Sequence, residues 1–299
     1  MIKLNEPIDN DPHTHADFVE LLCLCTEDRV CSEDYLRDYI SDMTEKRLSD
    51  NALVDCFGSL SWREDSFGEW YPFELNGAKT RISSIDQLSY KQKVYVFLLC
   101  CSSLPYFESD HRRQLTDTFE ILSVTALSAV WPARGVVKPF GKNTTDYAGP
   151  KWERMNSVGR DIGASPKYSP SSFRPQDSGD GGIDIVAWLD LDEHESRNIP
   201  SAFGQCACSR ANWPKKQLEA SNSTHATNMA PSYPWLELMF IPHSFRSGTG
   251  KWAYDGSIAQ VILFDRPRLI NCLRRSESGD QVTLPNVLEE LLNFRMDLV

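Results

Sequence analysis

The chain of 299 residues contains 41% hydrophobic and 24% charged side chains, which are ordinary proportions for a globular protein. These proportions exclude a disordered tail or a fibre, and the length allows one large domain or two smaller ones. The longest apolar run, residues 94–101, is too short to span a membrane, and the first residues lack the pattern of a signal peptide. We therefore expect a cytoplasmic protein with no membrane partner.

Charge is distributed unevenly along the chain, whose net charge is −11. Residues 1–50 contain 13 acidic and 5 basic side chains, whereas residues 134–174 contain 8 basic and 3 acidic ones. The overall negative charge argues against a freely diffusing, non-specific binder of nucleic acid. The local pattern fits a surface for a polyanion or a docking face for a basic partner, and it equally fits chance unevenness on a solvated surface.

The nine cysteines show no spacing that indicates a disulfide framework or a structural zinc site. Two Cys-x-Cys pairs occur, at 23/25 and 206/208, and neither has a second Cys or His pair nearby. We expect most of these cysteines to be small buried apolar side chains.

The first third of the chain has the periodicity of helices. Apolar residues recur at helical spacing over 18–25, and Ser32 is placed to cap a second helix that carries residues 35–43. Residues 57–83 are aromatic and turn-rich, and residues 86–102 predict a buried helix. We predict a helical accessory region over residues 1–107, with a role in docking a partner.

From residue 108 to 299 the pattern changes to alternating helices and strands, which predicts an α/β domain. Helices are predicted over 112–131, 151–161, about 213–218, 266–275 and 286–296, and buried strands over 183–189, 202–208, 235–241 and 259–264. Residues 165–182 and 220–234 are rich in Ser, Pro or other polar residues and predict loops.

Three polar residues stand out against these apolar elements. Asp184 follows two glycines at the start of a predicted strand, Gln205 lies on the next strand, and Glu120 is polar on an otherwise apolar helix. Adjacent strands can bring Asp184 and Gln205 to one face, because alternate side chains share a face. Two carboxylates and another oxygen donor suit Mg²⁺, which takes oxygen ligands and keeps several waters.

The order of these short motifs resembles a known group of enzymes. Phe-Glu at 119–120, Gly-Gly-Ile-Asp at 181–184 and Gln-Cys at 205–206 together resemble the PD-(D/E)XK nuclease superfamily. The pattern is most similar to its Mrr-like restriction endonuclease branch, over about residues 112–270. The resemblance implies a restriction-endonuclease-like fold with a central mixed sheet flanked by helices. It also implies a metal-dependent DNA endonuclease that uses Mg²⁺ or Mn²⁺.

The resemblance also implies roles for individual residues. Asp184 and Glu120 would hold the metal together with the backbone carbonyl of Cys206, and Gln205 would occupy the first position of the (D/E/Q)-x-K motif. The lysine of that motif, which orients water or stabilises charge at the phosphate, falls at Ala207 in this chain. We predict that Lys216, on the following helix, replaces it, with the neighbouring Lys215 as the second choice.

The basic middle segment is expected to follow the DNA backbone, because contacts to phosphate give affinity without sequence choice. The residues predicted to make these contacts are Lys138, Lys142, Lys151, Arg154 and Arg160. Nucleases that resemble this pattern are often effectors of prokaryotic restriction or antiviral defence. We therefore expect a protein partner that restrains or triggers the enzyme within a larger complex.

Two alternatives remain open from the sequence. Ala207 favours a catalytically inactive nuclease fold that serves as a scaffold subunit and binds nucleic acid or protein. A cysteine-based hydrolase that uses Cys206 or Cys208 with His243 is the other, although nothing in the sequence marks either thiol as activated.

Overall fold

The computed structural model describes residues 2–4, 6–44, 48–76, 81–84, 87–142, 144, 146–174, 181–276 and 282–296. Contacts divide the chain into two compact units, each assembled from separate stretches of sequence. The first unit comprises Met1–Thr116, Pro242–Asp255 and Thr283–Val299, and the second comprises Asp117–Ile241 and Gly256–Val282. No helix within these described ranges is long and apolar enough to cross a lipid bilayer.

The first unit combines helices with a small sheet. Its helices are α1 (Pro12–Cys25), α2 (Glu33–Thr44), α3 (Asp50–Phe67), α4 (Tyr90–Cys101), the first part of α5 (Ser109–Ser128), and α10 (Asn286–Asn293). Its strands are β1 (Val30–Ser32), β2 (Phe73–Asn76) and β3 (Arg81–Ser84), which pair antiparallel in the order β1-β3-β2. The first third is therefore not purely helical.

Local sequence signals explain where these helices begin. The side chain of Ser32 accepts a hydrogen bond from the backbone N–H of Tyr35 at 3.1 Å, so its predicted capping of α2 is confirmed. Ser89 and Gln92 form a capping box at the start of α4. Residues 57–83, which the sequence indicated as turn-rich, contain the second half of α3 and the strands β2 and β3.

The second unit is built on a mixed five-stranded sheet. The strands are β4 (Val136–Pro139), β5 (Ile185–Trp188), β6 (Ser201–Cys206), β7 (Leu236–Phe240) and β8 (Ile262–Phe264), in the order β4-β5-β6-β7-β8. The first two pairings are antiparallel and the last two are parallel. The helices are the later part of α5, α6 (Lys151–Asp161), α7 (Trp213–Lys216), α8 (Asn222–Met229) and α9 (Arg266–Leu273). The predicted α/β class, with a mixed sheet flanked by helices, is confirmed.

Two elements of the second unit differ from the sequence expectation. The edge strand β4 was not predicted, because its four residues include Pro139 and show no buried face. Helix α8 lies within the predicted loop 220–234, where Ser221 caps it by accepting from the N–H of Thr224. The predicted loop 165–182 is described only up to residue 174 and from residue 181, and residues 175–180 lie outside the described part.

The core on one side of this sheet fixes the strands that carry the candidate site. Val186 of β5 and Phe203 of β6 pack with Met155 of α6 and Met229 of α8, and all four side chains are at most 1% exposed. The rings of Phe203 and Trp235 lie 4.5 Å apart. Close packing of this kind leaves the ends of β5 and β6 little freedom to shift.

Candidate active site

The start of β5 lies beside the end of β6, and this places Asp184 next to the backbone of Gly204 and Cys206. Ile185 pairs with Gly204 in the antiparallel ladder, and the N–H of Asp184 donates to the carbonyl oxygen of Gly204 at 2.9 Å. Asp184 therefore lies just before the paired part of β5, beside the end of β6 where Gln205 and Cys206 follow Gly204.

The backbone around Asp184 holds its carboxylate in one orientation. Its Oδ2 accepts a hydrogen bond from the backbone N–H of Cys206 at 2.7 Å. Its carbonyl oxygen accepts from the N–H groups of Phe140 and Gly141, at 2.7 and 3.2 Å. These bonds connect the start of β5 both to β6 and to the segment that follows β4. The bond from the N–H of Cys206 to the Asp184 carboxylate is charge-assisted and therefore strong.

Glu120 approaches the same place from helix α5. A Cβ atom on Gly141 would lie 3.0 Å from Oδ1 of Asp184 and 3.5 Å from Oε2 of Glu120. The two carboxylates therefore border one small space, which the absence of a side chain at Gly141 leaves open. The side chain of Glu120 is only 14% exposed, so its charge acts in a partly desolvated setting.

The lysine beside these carboxylates is Lys142. Its Nζ forms an ion pair with Asp117 and lies 3.9 Å from Oε1 of Glu120. Partial burial alone would lower the pKa of Lys142. The hydrogen bond to Asp117 and the charges of Glu120, Asp117 and Asp184 outweigh that effect and raise the pKa above its ordinary value. Lys142 is therefore a cation at neutral pH.

Lys216, the lysine predicted from the sequence to serve the site, lies on the four-residue helix α7. Within the part of the chain that the structure describes, it has no ion pair with Asp184 or Glu120. Its carbonyl oxygen accepts from the N–H of Glu219 at 2.9 Å. The lysine found against the carboxylates is thus Lys142, which the sequence analysis assigned to DNA contacts.

Gln205 has one end of its amide bound and the other end open. Its Nε2 donates to Oε2 of Glu219, while its Oε1 has no hydrogen-bond partner among the described residues. The residue is only 3% exposed. A buried amide oxygen without a partner is uncommon and calls for a ligand or water. Sequence reasoning did not identify Glu219, which follows α7 and carries no motif of its own.

Cys206 contributes its backbone to the site, and its side chain lies against Ser123 of α5. Burial raises the pKa of the Cys206 thiol well above its ordinary value, and the charges of Asp184 and Glu120 raise it further. A reactive thiolate requires the opposite environment. This geometry disfavours a cysteine-based hydrolase at Cys206.

A buried histidine supports the entry to β5. His225 lies with Nε2 at 3.0 Å from the carbonyl oxygens of both Gly181 and Glu219, and with Nδ1 at 3.1 Å from the hydroxyl of Tyr168. The two carbonyls can only accept, which assigns the proton to Nε2. Burial lowers the pKa of His225, so it is neutral at pH 7. No motif in the sequence marks His225 as part of the site.

The other predicted DNA contacts lie on β4 and α6. Lys138 pairs with Asp146 at 3.1 Å, and the Nζ of Lys151 lies 4.3 Å from the centre of the Phe173 ring. Arg160 is exposed near the end of α6, whereas Arg154 points to backbone carbonyls.

The donor set fits one kind of metal better than others. The described residues contain no group of three or more His, Cys, Asp or Glu side chains arranged to hold a metal ion. The site offers the two carboxylates of Asp184 and Glu120 and the open space at Gly141. Mg²⁺ is commonly held by one or two carboxylates and keeps several waters. The residues present therefore fit Mg²⁺ or Mn²⁺, and they do not fit a zinc site of Cys and His ligands.

Comparison with known proteins adds one remote similarity. The chain is similar to the MspJI restriction endonuclease, solved in complex with a 27-mer oligonucleotide, with 14% identity and a TM-score of 0.33. The aligned region covers 73% of this chain and 37% of the endonuclease, so the chain spans little more than a third of that enzyme. A TM-score this low establishes neither a shared fold nor a shared activity. No protein-family model and no curated protein matches the sequence.

Proposed function

We propose that the second unit is a metal-dependent phosphodiesterase that cuts DNA. The observation that carries this proposal is the space at Gly141, which the carboxylates of Asp184 and Glu120 border. The next residue in the chain, Lys142, places its Nζ 3.9 Å from Oε1 of Glu120. Two acidic groups suit a divalent metal ion, and the cation beside them suits the phosphate group that such an ion would bind. The PD-(D/E)XK resemblance of the same residues supports this proposal.

Asp184 and Glu120 would hold Mg²⁺ or Mn²⁺ together with the backbone carbonyl of Cys206. When bound, such an ion polarises the phosphate and lowers the pKa of a bound water. The chain's own contribution is orientation, because Asp184 is fixed by the N–H of Cys206 and Gln205 is fixed by Glu219. The reaction forms a bond between the water oxygen and phosphorus and breaks the bond to the leaving oxygen, and the proton that the water loses is balanced by one that the leaving oxygen takes up from solvent.

Lys142 takes the role that the sequence analysis gave to Lys216. Because its pKa is raised, Lys142 remains an ammonium group and does not act as a general base. A fixed positive charge stabilises the negative charge that develops on the phosphate oxygens during hydrolysis. Lys142 would therefore stand in for the lysine that is missing at Ala207.

The wider setting of this activity also belongs to the proposal. Basic residues of β4 and α6, such as the half-buried Lys138 and the exposed Arg160, would contact DNA phosphates. Residues 1–107, with their excess of acidic side chains, would dock a protein partner that triggers the nuclease in a prokaryotic restriction or antiviral defence system. The net charge of −11 weakens non-specific binding to DNA, which is the reason for including a partner in this proposal.

The alternative is a catalytically inactive scaffold subunit, favoured by the alanine at position 207. The decisive experiment is incubation of supercoiled plasmid and single-stranded DNA with the full chain in EDTA, Mg²⁺ or Mn²⁺, with and without candidate partner proteins encoded nearby. Nicking or cleavage that requires the metal supports the nuclease. DNA that stays intact in every condition, partners included, supports the scaffold.

A further inference from the structure

We propose that Arg154 is a positioning residue that holds the Phe140–Gly141 segment and thereby places Lys142 beside Glu120. This inference rests on the proposed function and deepens it, because it concerns the same site. It also gives Arg154 a different role from the DNA phosphate contact expected from the sequence.

The contacts of Arg154 are directed at the backbone. Arg154 lies on α6, and its Nη2 donates to the carbonyl oxygen of Phe140 and, at 3.1 Å, to that of Gly141. The guanidinium carbon lies 4.9 Å from the centre of the Phe140 ring. The group is therefore directed at a two-residue segment rather than out into solvent.

The same segment is held from its other side by β5. The N–H groups of Phe140 and Gly141 both donate to the carbonyl oxygen of Asp184. The carbonyl groups of this short segment thus bind α6, while its N–H groups bind the residue that carries the central carboxylate. The contacts to β5 are made by backbone groups, whereas the contacts to α6 are made by the Arg154 side chain. Only the contacts of Arg154 can therefore be removed by a substitution.

The chemistry of arginine suits this task. Its planar guanidinium presents several N–H groups in fixed directions, so one side chain can serve two neighbouring carbonyls and stack on an aromatic ring. Lysine carries a point charge on a flexible stem and cannot reproduce both contacts. Phe140 is fully buried, so its carbonyl has no ready replacement partner if the guanidinium is lost.

A shift of the Phe140–Gly141 segment would move Lys142, which is joined to Gly141 by one peptide bond. Gly141 borders both carboxylates, and Lys142 is the next residue. A shift of the segment by about 1 Å can cost a rate factor of about 100, even when the change lies away from the chemistry. Arg154 acts through Gly141 and Lys142, and not through substrate.

The test separates positioning from DNA contact with Arg154→Met and Arg154→Lys, and uses Arg275→Met, at the end of α9, as a matched control. Positioning predicts that both Arg154 variants lose about 100-fold in single-turnover cleavage rate. Their DNA affinity and its salt dependence stay unchanged, and the control variant behaves as wild type in every respect. A phosphate contact predicts weaker DNA binding and a salt slope reduced by about one, with the rate at saturation retained, and would overturn the proposal.

Two further measurements keep the test decisive. In Arg154→Ala, millimolar guanidinium should restore part of the rate, whereas methylammonium should not. Amide hydrogen exchange at Phe140 and Gly141 should be at least about 10-fold faster in Arg154→Met than in wild type or Arg275→Met. Unchanged exchange refutes positioning whether or not DNA is cleaved. Faster exchange in a chain that never cleaves DNA supports the positioning role while the proposed function fails.

Discussion

Lys142 determines, at the scale of single residues, what the candidate site can do. Its position follows from the backbone, since it comes directly after Gly141 and meets Asp117 and Glu120 of α5. With a raised pKa it carries its charge throughout the neutral range. In the proposed nuclease, this permanent cation would face the phosphodiester while the acidic groups beside it hold the metal.

The two lysines can be told apart by substitution. We expect Lys142→Met to lower the cleavage rate by about 100-fold, because removal of one electrostatic stabiliser costs roughly 10²–10³ in rate. Lys216→Met should lose much less, since Lys216 has no ion pair with the site within the described residues. Single-turnover rates at saturating metal measure both. A larger loss in Lys216→Met would return the role to the lysine predicted from the sequence.

His225 makes the stability of the second unit depend on pH. Burial lowers its folded pKa below the ordinary value of 6.5, so as the pH falls the unfolded chain binds a proton before the folded chain does. The stability that neutral His225 contributes is present above about pH 6.5 and is lost as the pH falls below it. Between about pH 7.5 and 5.5, wild type should lose more unfolding free energy than His225→Gln. Urea denaturation at each pH measures this loss. An equal loss of unfolding free energy in the two proteins would show that His225 is not the titrating group.

At the scale of elements, the amino-acid sequence alone points to Glu120, Asp184 and Gln205 as candidates, because each is a polar residue on or next to an apolar helix or strand. Strand alternation is local, so a sequence reveals it. The position of Lys142 depends on how the segment after the unpredicted strand β4 folds back on α5, and sequence periodicity carries no such information. The same holds for Glu219, whose contact with Gln205 joins residues fourteen positions apart.

Glycine in β6 is required by packing against the neighbouring strand. A Cβ atom on Gly204 would lie 2.7 Å from Cε2 of Phe240 and 3.4 Å from Cβ of Ile185, and Phe240 is itself fully buried. Gly204→Ala should lower the unfolding free energy by about 1–3 kcal/mol, the usual range for overpacking a core.

The control for this substitution is Gly58→Ala in α3, where an added Cβ meets nothing within 4 Å. Replacing a helical glycine by alanine should raise stability by up to about 1 kcal/mol. Chemical denaturation of the two variants measures both effects. Equal stability of Gly204→Ala and wild type would mean that β6 and β7 can separate enough to admit a methyl group.

At the scale of the whole molecule, the first unit contains a buried ionic network. The Nη1 of Arg63 lies 2.8 Å from Oδ1 of Asp17 and 2.8 Å from Oε2 of Glu20, and the three side chains are at most 2% exposed. The hydroxyl groups of Tyr71 and Tyr95 donate to Oε1 of Glu20, each at 2.9 Å. Two buried carboxylates therefore depend on one guanidinium group.

Removing that guanidinium should destabilise the first unit severely. Arg63→Met leaves two buried acidic groups without their cation, and breaking a buried ion pair from one side costs about 3–5 kcal/mol. Arg37→Met is the matched control, because the Arg37 side chain is 41% exposed and its ion pairs are worth at most about 1 kcal/mol. Thermal and urea unfolding compare the two. A loss in Arg63→Met no larger than in Arg37→Met would contradict the ionic role.

The measurement that tests the central claim most directly is Mg²⁺-dependent cleavage of plasmid DNA by Asp184→Asn, with Asp190→Asn as its control. Asp190 is exposed just after β5, whereas Asp184 borders the space at Gly141. Circular dichroism first checks that both variants are folded. We then expect the rate of plasmid cleavage by Asp184→Asn to be at least about 100-fold lower than that of wild type. Asp190→Asn should cleave as wild type does. Equal cleavage by both variants would contradict a nuclease site at Asp184.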